Sequence, residues 1–244
     1  MKVVLTNDDG IDAPGLDALA GIISTFALPV VVAPRIEQSG VAHRVTAKAP
    51  ISYGPAGENR YWVEATPADC ARVALKHLAV DADWLISGIN PGANLGSDVY
   101  NSGTVAAARE AAILGCRSIA VSQYISKGGA VDWTATARHA ATILRMLMSQ
   151  ALEAGSFWNV NLPHPLARDA AVAYRFCDLD THPHAYTYRT EGAQLIYQGT
   201  IHDRPRDAGK DVAVCFGGAA AITRIPIGAC THHEHRPGKG SVGT

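Results

Sequence analysis

The sequence predicts an α/β fold, an open and mostly parallel sheet with helices on both faces, followed by a C-terminal β-hairpin extension. Three observations predict it. Short apolar, β-branched runs alternate with stretches of helical periodicity up to about residue 163. The first β-α-β unit closes within 35 residues, a crossover that makes its strands parallel. Beyond Pro163 the alternation stops, and short strand-like runs flank a turn.

Each element has its own local cause. Val3–Leu5 is apolar and β-branched, and the turn-forming Asn7-Asp8-Asp9-Gly10 follows it, so a buried strand runs into a loop. Pro14 suits a first helical turn, where its missing N–H costs little, and Leu16, Leu19, Ile23 and Phe26 recur at helical spacing. Pro29–Ala33 is the second buried strand, closed by Pro34, and Tyr61–Glu64 reads as a short strand. Thr66-Pro67-Ala68-Asp69 supplies an N-cap, a proline at N1 and an acid at N3, opening a helix through about Leu78. Trp84–Ser87 is a strand, 88–103 a Gly/Asn-rich loop, and Thr104 caps an Ala-rich helix over 105–114 that Gly115 ends. Ser118–Val121 is the next strand, 132–153 a long helix ended by Gly155, and Phe157–Leu162 closes the regular part.

Val172–Phe176, Tyr186–Thr190 and Leu195–Gln198 read as hairpin material, with Glu191-Gly192 as a turn; Val212–Phe216 and Ala220–Ile225 read as late strands. The tail from Thr231 carries His232, His233 and His235 among Gly and Pro and reads as a mobile surface segment. The expected organisation is a Rossmann-like core over 1–163, an extension over 164–230 and a flexible tail over 231–244.

Composition bounds the function. The 244 residues carry 21 Lys+Arg against 22 Asp+Glu, a formal net charge of −1, enough chain for one large domain or two modest ones. A core of this size needs no staples. Apolar residues at 48% and charged residues at 18% exclude a disordered tail protein. Balanced charge argues against DNA or RNA duplex binding, which calls for a basic excess. Small phosphorylated ligands remain open, because a metal or a few residues can supply the positive charge. Cys70, Cys116, Cys177, Cys215 and Cys230 form no CxxC pair and read as reduced, mostly buried thiols. No export signal and no run of about 18 apolar residues is visible, so the expected location is cytoplasmic, away from membranes.

Three polar clusters fall at carboxyl ends of strands, where open α/β sheets gather ligands. In the first, Asp8 and Asp9 leave a buried strand side by side. Their mutual repulsion raises both pKa values unless a cation neutralises them, and a hard divalent ion such as Mg²⁺ or Mn²⁺ suits them. The plainer reading is that one caps the next helix and the other meets water. In the second, Arg35–Thr46, Ser39-Gly40 fits a turn or a ligand, and His43 a surface hydrogen bond or a base. In the third, Ser87 to Thr104, glycines at 88, 92 and 96 permit close backbone approach, and Asn90 and Asn94 offer neutral oxygens. Ser102-Gly103-Thr104 begins a helix, whose free N–H groups and dipole favour a phosphate. The loop matches neither the dinucleotide fingerprint nor GxxxxGK[ST]. Together the clusters suit metal-assisted phosphomonoester hydrolysis. A Ser-His-Asp esterase lacks its GxSxG elbow here.

Asn7-Asp8-Asp9-Gly10 with Ala13-Pro14-Gly15-Leu16, then Val32-Ala33-Pro34 with Ser39-Gly40, resembles the SurE family of stationary-phase survival proteins. Ser87-Gly-Ile-Asn90 with Gly92, Asn94, Gly96 and Asp98, then Ser102-Gly-Thr-Val105, matches its central signature. Thr66-Pro67-Ala68-Asp69-Cys70 and Asn159-Val-Asn-Leu-Pro163 resemble family segments too. The resemblance implies a divalent-metal-dependent 5′/3′-nucleotidase, with some members also acting on short polyphosphate. It implies one Mg²⁺ or Mn²⁺ per subunit, held by Asp8, Asp9, Ser39 and Asn90. Asn94 and Ser102, Gly103 and Thr104 would hold the phosphate of a nucleoside monophosphate. It further implies a homodimer or homotetramer built through the C-terminal hairpin.

The chain departs from the family pattern at Asn101, where Tyr is usual, at His43, at Gly209-Lys210-Asp211 and over Gly218–Ile225. Asp8 is the expected group to orient or deprotonate the attacking water, and His43 a candidate to protonate the leaving alkoxide. A short-chain polyphosphatase, a phosphatase for another metabolite and a non-catalytic nucleotide-binding protein are the rival readings.

Overall fold

Val3, Val4, Leu5 and Thr6 are all buried, as a central strand of β-branched and apolar residues requires. Val3 and Leu5 join the core on one face of the sheet, and Val4 joins the core on the other. A computed structural model describes residues 1–166, 171–183, 187–199 and 201–228. The strands are β1 (Lys2–Thr6), β2 (Leu28–Pro34), β3 (Tyr53–Gly57), β4 (Arg60–Val63), β5 (Trp84–Pro91), β6 (Arg117–Gln123), β7 (Ser156–Leu162), β8 (Tyr174–Phe176), β9 (Tyr188–Glu191), β10 (Gln194–Tyr197) and β11 (Ala220–Pro226). The helices are α1 (Pro14–Ser24), α2 (Pro67–Val73), α3 (Gly103–Ile113), α4 (Trp133–Met148) and α5 (Asp211–Phe216).

Among the described residues nine strands form one sheet in the order β3-β4-β2-β1-β5-β6-β7-β11-β8, and β9 and β10 form a separate hairpin. From β4 to β7 every neighbouring pair is parallel; β3 and β11 run antiparallel to β4 and β7. Leu16, Leu19 and Ile23 of α1 share a core with Ile143, Leu144 and Leu147 of α4 on one face. Cys70 and Ala71 of α2 share a core with Ala107 and Ala111 of α3 on the other. This is the doubly covered open sheet expected from the alternation. From β1 the chain steps to β2 on one side, and β5 later enters on the other side. That reversal is the switch point where such sheets open a crevice.

Several expectations are corrected. Val212–Phe216 is helical, not a strand: α5 starts at Asp211, whose carboxylate accepts the Val212 N–H at 2.9 Å, and Gly217 ends it. Val172–Phe176 reduces to β8, which pairs parallel with β11 at the sheet edge instead of joining the hairpin. The hairpin turn is Gly192-Ala193, with Gly192 at φ +60°; Tyr186 lies outside the described residues. β3 was not anticipated. The helix expected to reach 153 stops at Met148, and α2 passes into a π turn over Ala74–Leu78. Inside the expected loop 88–103, β5 continues to Pro91 and a 3₁₀ turn occupies Gly96–Tyr100. The cap of α3 is Ser102, whose hydroxyl accepts the Val105 N–H at 3.1 Å, not Thr104. The histidines of the tail lie outside the described residues.

Candidate active site

Four carboxyl-end segments converge at the switch point. β1 delivers Asp8 and Asp9, the loop after β2 delivers Ser39, the end of β5 delivers Asn90, and the loop into α3 delivers Asn94 and Ser102. These six line one cleft of about 940 Å³, within the usual range for a ligand pocket. Gly103 and Thr104 are not among its lining residues; they sit directly behind Asp8.

Thr104 is fully buried, and its hydroxyl donates to the Asp8 carboxylate. Burial drives the Asp8 carboxyl above the usual carboxylate range, while that hydroxyl and the backbone N–H groups of Thr104 and Gly103 favour its charged form. The start of α3 therefore turns its orphan donors towards Asp8. The approach is so close that a Cβ on Gly103 would lie 2.8 Å from the Asp8 Cβ and 2.9 Å from Oδ2. Only glycine fits there.

Asp9 is pushed up to about 7, first by burial, then by the negative charges of Asp8 and Glu37. Its Oδ2 is buried and has no hydrogen-bond partner among the described residues. Such an atom is costly unless something positive meets it. Ser39 donates its hydroxyl to Glu37 at 2.7 Å, and its loop is tied to β1 by the Gln38 N–H donating 2.7 Å to the Asp8 carbonyl. Asn90 spends its amide N–H on the Gly92 carbonyl at 2.7 Å, which leaves the amide oxygen as its ligand atom. Two carboxylates, a hydroxyl and an amide oxygen form an all-oxygen donor set that fits a hard divalent cation.

The Asn94 loop is pinned from below. Its N–H donates to Asn161 at 2.8 Å, its carbonyl accepts from Asn159 and Asn161 at 2.9 and 3.0 Å, and its amide donates to Ser122 at 2.8 Å. Asn159 and Asn161 on β7 thus support the loop that the sequence links to phosphate. Asp211 braces the same loop, accepting the Gly96 N–H at 2.7 Å.

His43 stands elsewhere. Its Nε2 lies 2.7 Å from the buried Glu110 carboxylate, and Arg109 Nη1 lies 3.3 Å from its Nδ1. Arg109 can only donate, so this pairing assigns the proton to Nε2 and the ring bridges two fixed partners. Glu110 also takes the Arg72 Nε at 2.5 Å. His43 does not line the cleft.

Sequence reasoning missed the opposite wall. Tyr188 and Tyr197 of the hairpin, with Asp203 and Arg204 beyond it, line the same cleft as Asp8 and Asp9, which stand about 180 to 195 residues earlier in sequence. Nothing local marks them. Among the described lining residues Asp8, Asp9, Glu37, Asp98 and Asp203 face one cation, Arg204, which is already bonded to Asp98 at 2.6 Å. A phosphate dianion entering this field is repelled unless a cation accompanies it. Asp180, His182 and Asp207 form a second group with ligand-type atoms within 4.8 Å of one another, outside the cleft lining. There Asp180 accepts the backbone N–H groups of His182 and Asp207 at 2.9 and 2.8 Å, as a loop brace does.

A family model described as "Survival protein SurE" matches residues 3–185. A Synechocystis protein, named provisionally as a 5′-nucleotidase, is 43% identical over 227 residues, covering 93% of this chain and 100% of that protein. The 5′-nucleotidase SurE of Methylorubrum populi is 41% identical over 168 residues, covering 67% of this chain and 66% of its own. The crystal structure of SurE from Aquifex aeolicus superposes with a TM-score of 0.83 at 26% identity over 95% of both chains.

Proposed function

The chain belongs to the SurE family, and from that premise we propose that it is a divalent-metal-dependent phosphomonoesterase. Its proposed substrates are nucleoside 5′-monophosphates, and 3′-monophosphates, cleaved to nucleoside and phosphate. The names of the relatives support nucleotidase activity. The observation that supports the metal dependence is the buried oxygen of Asp9 beside Asp8, without a partner among the described residues, at the floor of a cleft with an excess of carboxylates.

In this reading Asp8, Asp9, Ser39 and Asn90 hold one Mg²⁺ or Mn²⁺. That ion supplies Lewis acidity towards the phosphoryl group and water. Asp8, fixed by Thr104, orients the attacking water and accepts its proton. Asn94 and Ser102 hold phosphoryl oxygens from the loop that Asn159, Asn161 and Asp211 keep rigid, while Gly103 and Thr104 act from behind Asp8. His43 has no place in proton transfer, because Glu110 and Arg109 engage both of its nitrogens away from the cleft.

Residues 164–230, which include the exposed hairpin, are the proposed contact region of a homodimer or homotetramer. No helix among the described residues is long and apolar enough to cross a membrane, and a cytoplasmic location is part of the proposal.

A panel of phosphomonoesters tests the substrate class. Purified protein with Mn²⁺ or Mg²⁺ is expected to release phosphate from nucleoside monophosphates faster than from sugar phosphates, glycerol phosphate or tripolyphosphate. Turnover of tripolyphosphate alone, or of no member of the panel, contradicts it.

A further inference from the structure

β9 and β10 pair so that Tyr188 and Tyr197 are direct cross-strand partners. Directly opposed residues project from one face of a hairpin, and both tyrosines line the cleft whose floor carries Asp8 and Asp9. Their ring centroids are 5.7 Å apart with planes at 62°. Tyr188 is 56% and Tyr197 51% exposed, so about half of each residue's surface is open to a ligand.

The segment that follows the hairpin is anchored to the body of the protein. Just beyond β10, the Arg204 side chain is only 8% exposed and donates to the Leu95 carbonyl at 3.3 Å and to the Asp98 carboxylate at 2.6 Å. His202 Nδ1 lies 2.9 Å from the Tyr124 hydroxyl, and Tyr124 stacks on Phe216 at 4.4 Å. Leu95 and Asp98 belong to the same loop that carries Asn94 towards Ser102. The segment that follows the hairpin and the phosphate-side loop are thereby tied to each other.

An edge-to-face pair such as this offers a flat π-system one ring face to stack on and one ring edge to meet. Every nucleobase has a π-face, so stacking on tyrosine binds bases with little regard to their identity. We propose that Tyr188 and Tyr197 form the platform for the substrate's nucleobase, and that they make the cleft select phosphomonoesters bearing a base over those bearing a bare sugar. The inference rests on the nucleotidase reading and names the residues that confer its substrate class.

The experiment measures kcat/KM for adenosine 5′-monophosphate and for ribose 5-phosphate in the full chain with Mn²⁺, in wild type, Tyr188→Ala, Tyr197→Ala and the two Tyr→Phe variants. Stacking on one aromatic ring is worth about a tenfold change. The ratio of the two kcat/KM values should fall about tenfold in each Ala variant, carried by KM, and return in the Phe variants. A ratio that stays at the wild-type value in both Ala variants overturns the platform while leaving hydrolysis intact. Calorimetric titration with adenosine, which has no phosphate, separates the two readings. Loss of adenosine binding in the Ala variants supports the platform even if no phosphomonoester is turned over, the result that removes the hydrolase reading alone. Adenosine binding equal in wild type and both Ala variants, or absent in wild type, overturns the platform.

Discussion

The hydroxyl of Thr104 on the first turn of α3 donates to the carboxylate of Asp8 at the end of β1, with both residues buried. The helix start and the acidic strand end are therefore one unit, and the orientation of Asp8 is set by a residue 96 positions away. Thr104→Val keeps the shape and removes the donor. It should lower kcat at least tenfold and cost about 1–3 kcal/mol of stability, with Thr104→Ser restoring most of both. Steady-state kinetics and thermal unfolding check this.

Gly103→Ala sets two effects against each other. Alanine is the better helix former by about 1 kcal/mol, but its Cβ would meet Asp8 at 2.8 Å and Pro67 at 3.1 Å. Overpacking of this kind costs about 1–3 kcal/mol. The contact wins: Tm should fall and activity with it, since Asp8 is what must move. A rise in Tm with full activity would show that propensity dominates.

Asp211 holds three backbone donors, the N–H groups of Gly96, Asp180 and Val212, at 2.7 to 2.9 Å. Asp211→Ala leaves these buried groups unpaired and should cost about 2–4 kcal/mol. The readout beyond stability is KM for substrate, which should rise because Gly96 lies in the loop between Asn94 and Ser102.

The raised Asp9 pKa predicts a pH dependence for the metal-free protein. The folded value of about 7 lies above the ordinary 3.8 of an unfolded chain. A proton therefore stabilises the folded state fully below about 4, and that contribution is lost as pH rises through about 7. Relative to Asp9→Asn, which stays neutral, chelator-treated wild type should lose Tm from pH 4 to 7 and level off above. Saturating Mn²⁺ should abolish the trend, and the apparent metal affinity should rise towards pH 7 as the proton ceases to compete.

His43→Ala separates positioning from proton transfer. With Nε2 held by Glu110, the variant should lose about 1–2 kcal/mol of stability, yet less than threefold in kcat. A drop of a hundredfold, with loss of one limb of the pH profile, would restore His43 to the reaction.

Much of this site was legible because its signals are local. A β-branched run ending in Asn-Asp-Asp-Gly specifies a buried strand and what leaves it, and Thr66-Pro67 with Asp69 specifies a capped helix that the structure has as a capping box. The order of β1, α1 and β2 then places Asp8 and Asp9 at the crevice without further information. Short apolar runs were less informative. Val212–Phe216 suits a strand by composition and a helix by its flanks, Asp211 and Gly217, and the flanks decide. β3 escaped notice because Tyr53–Gly57 contains two glycines and a proline, tolerable only on an edge strand such as this one. The tyrosine wall and Arg204 meet segments roughly 100 to 190 residues earlier in the chain, and no spacing or cap records such a meeting.

In the proposed mechanism Asp8 and Asp9 hold the divalent ion on which hydrolysis depends. The most direct measurement is phosphate release from a nucleoside 5′-monophosphate during titration of Mn²⁺ into chelator-stripped protein, in wild type and Asp9→Asn. No release is expected without metal, with saturable recovery in wild type and at least a hundredfold loss in Asp9→Asn at the same metal concentration. Full activity in stripped wild-type protein, or an unchanged titration curve in Asp9→Asn, would contradict it.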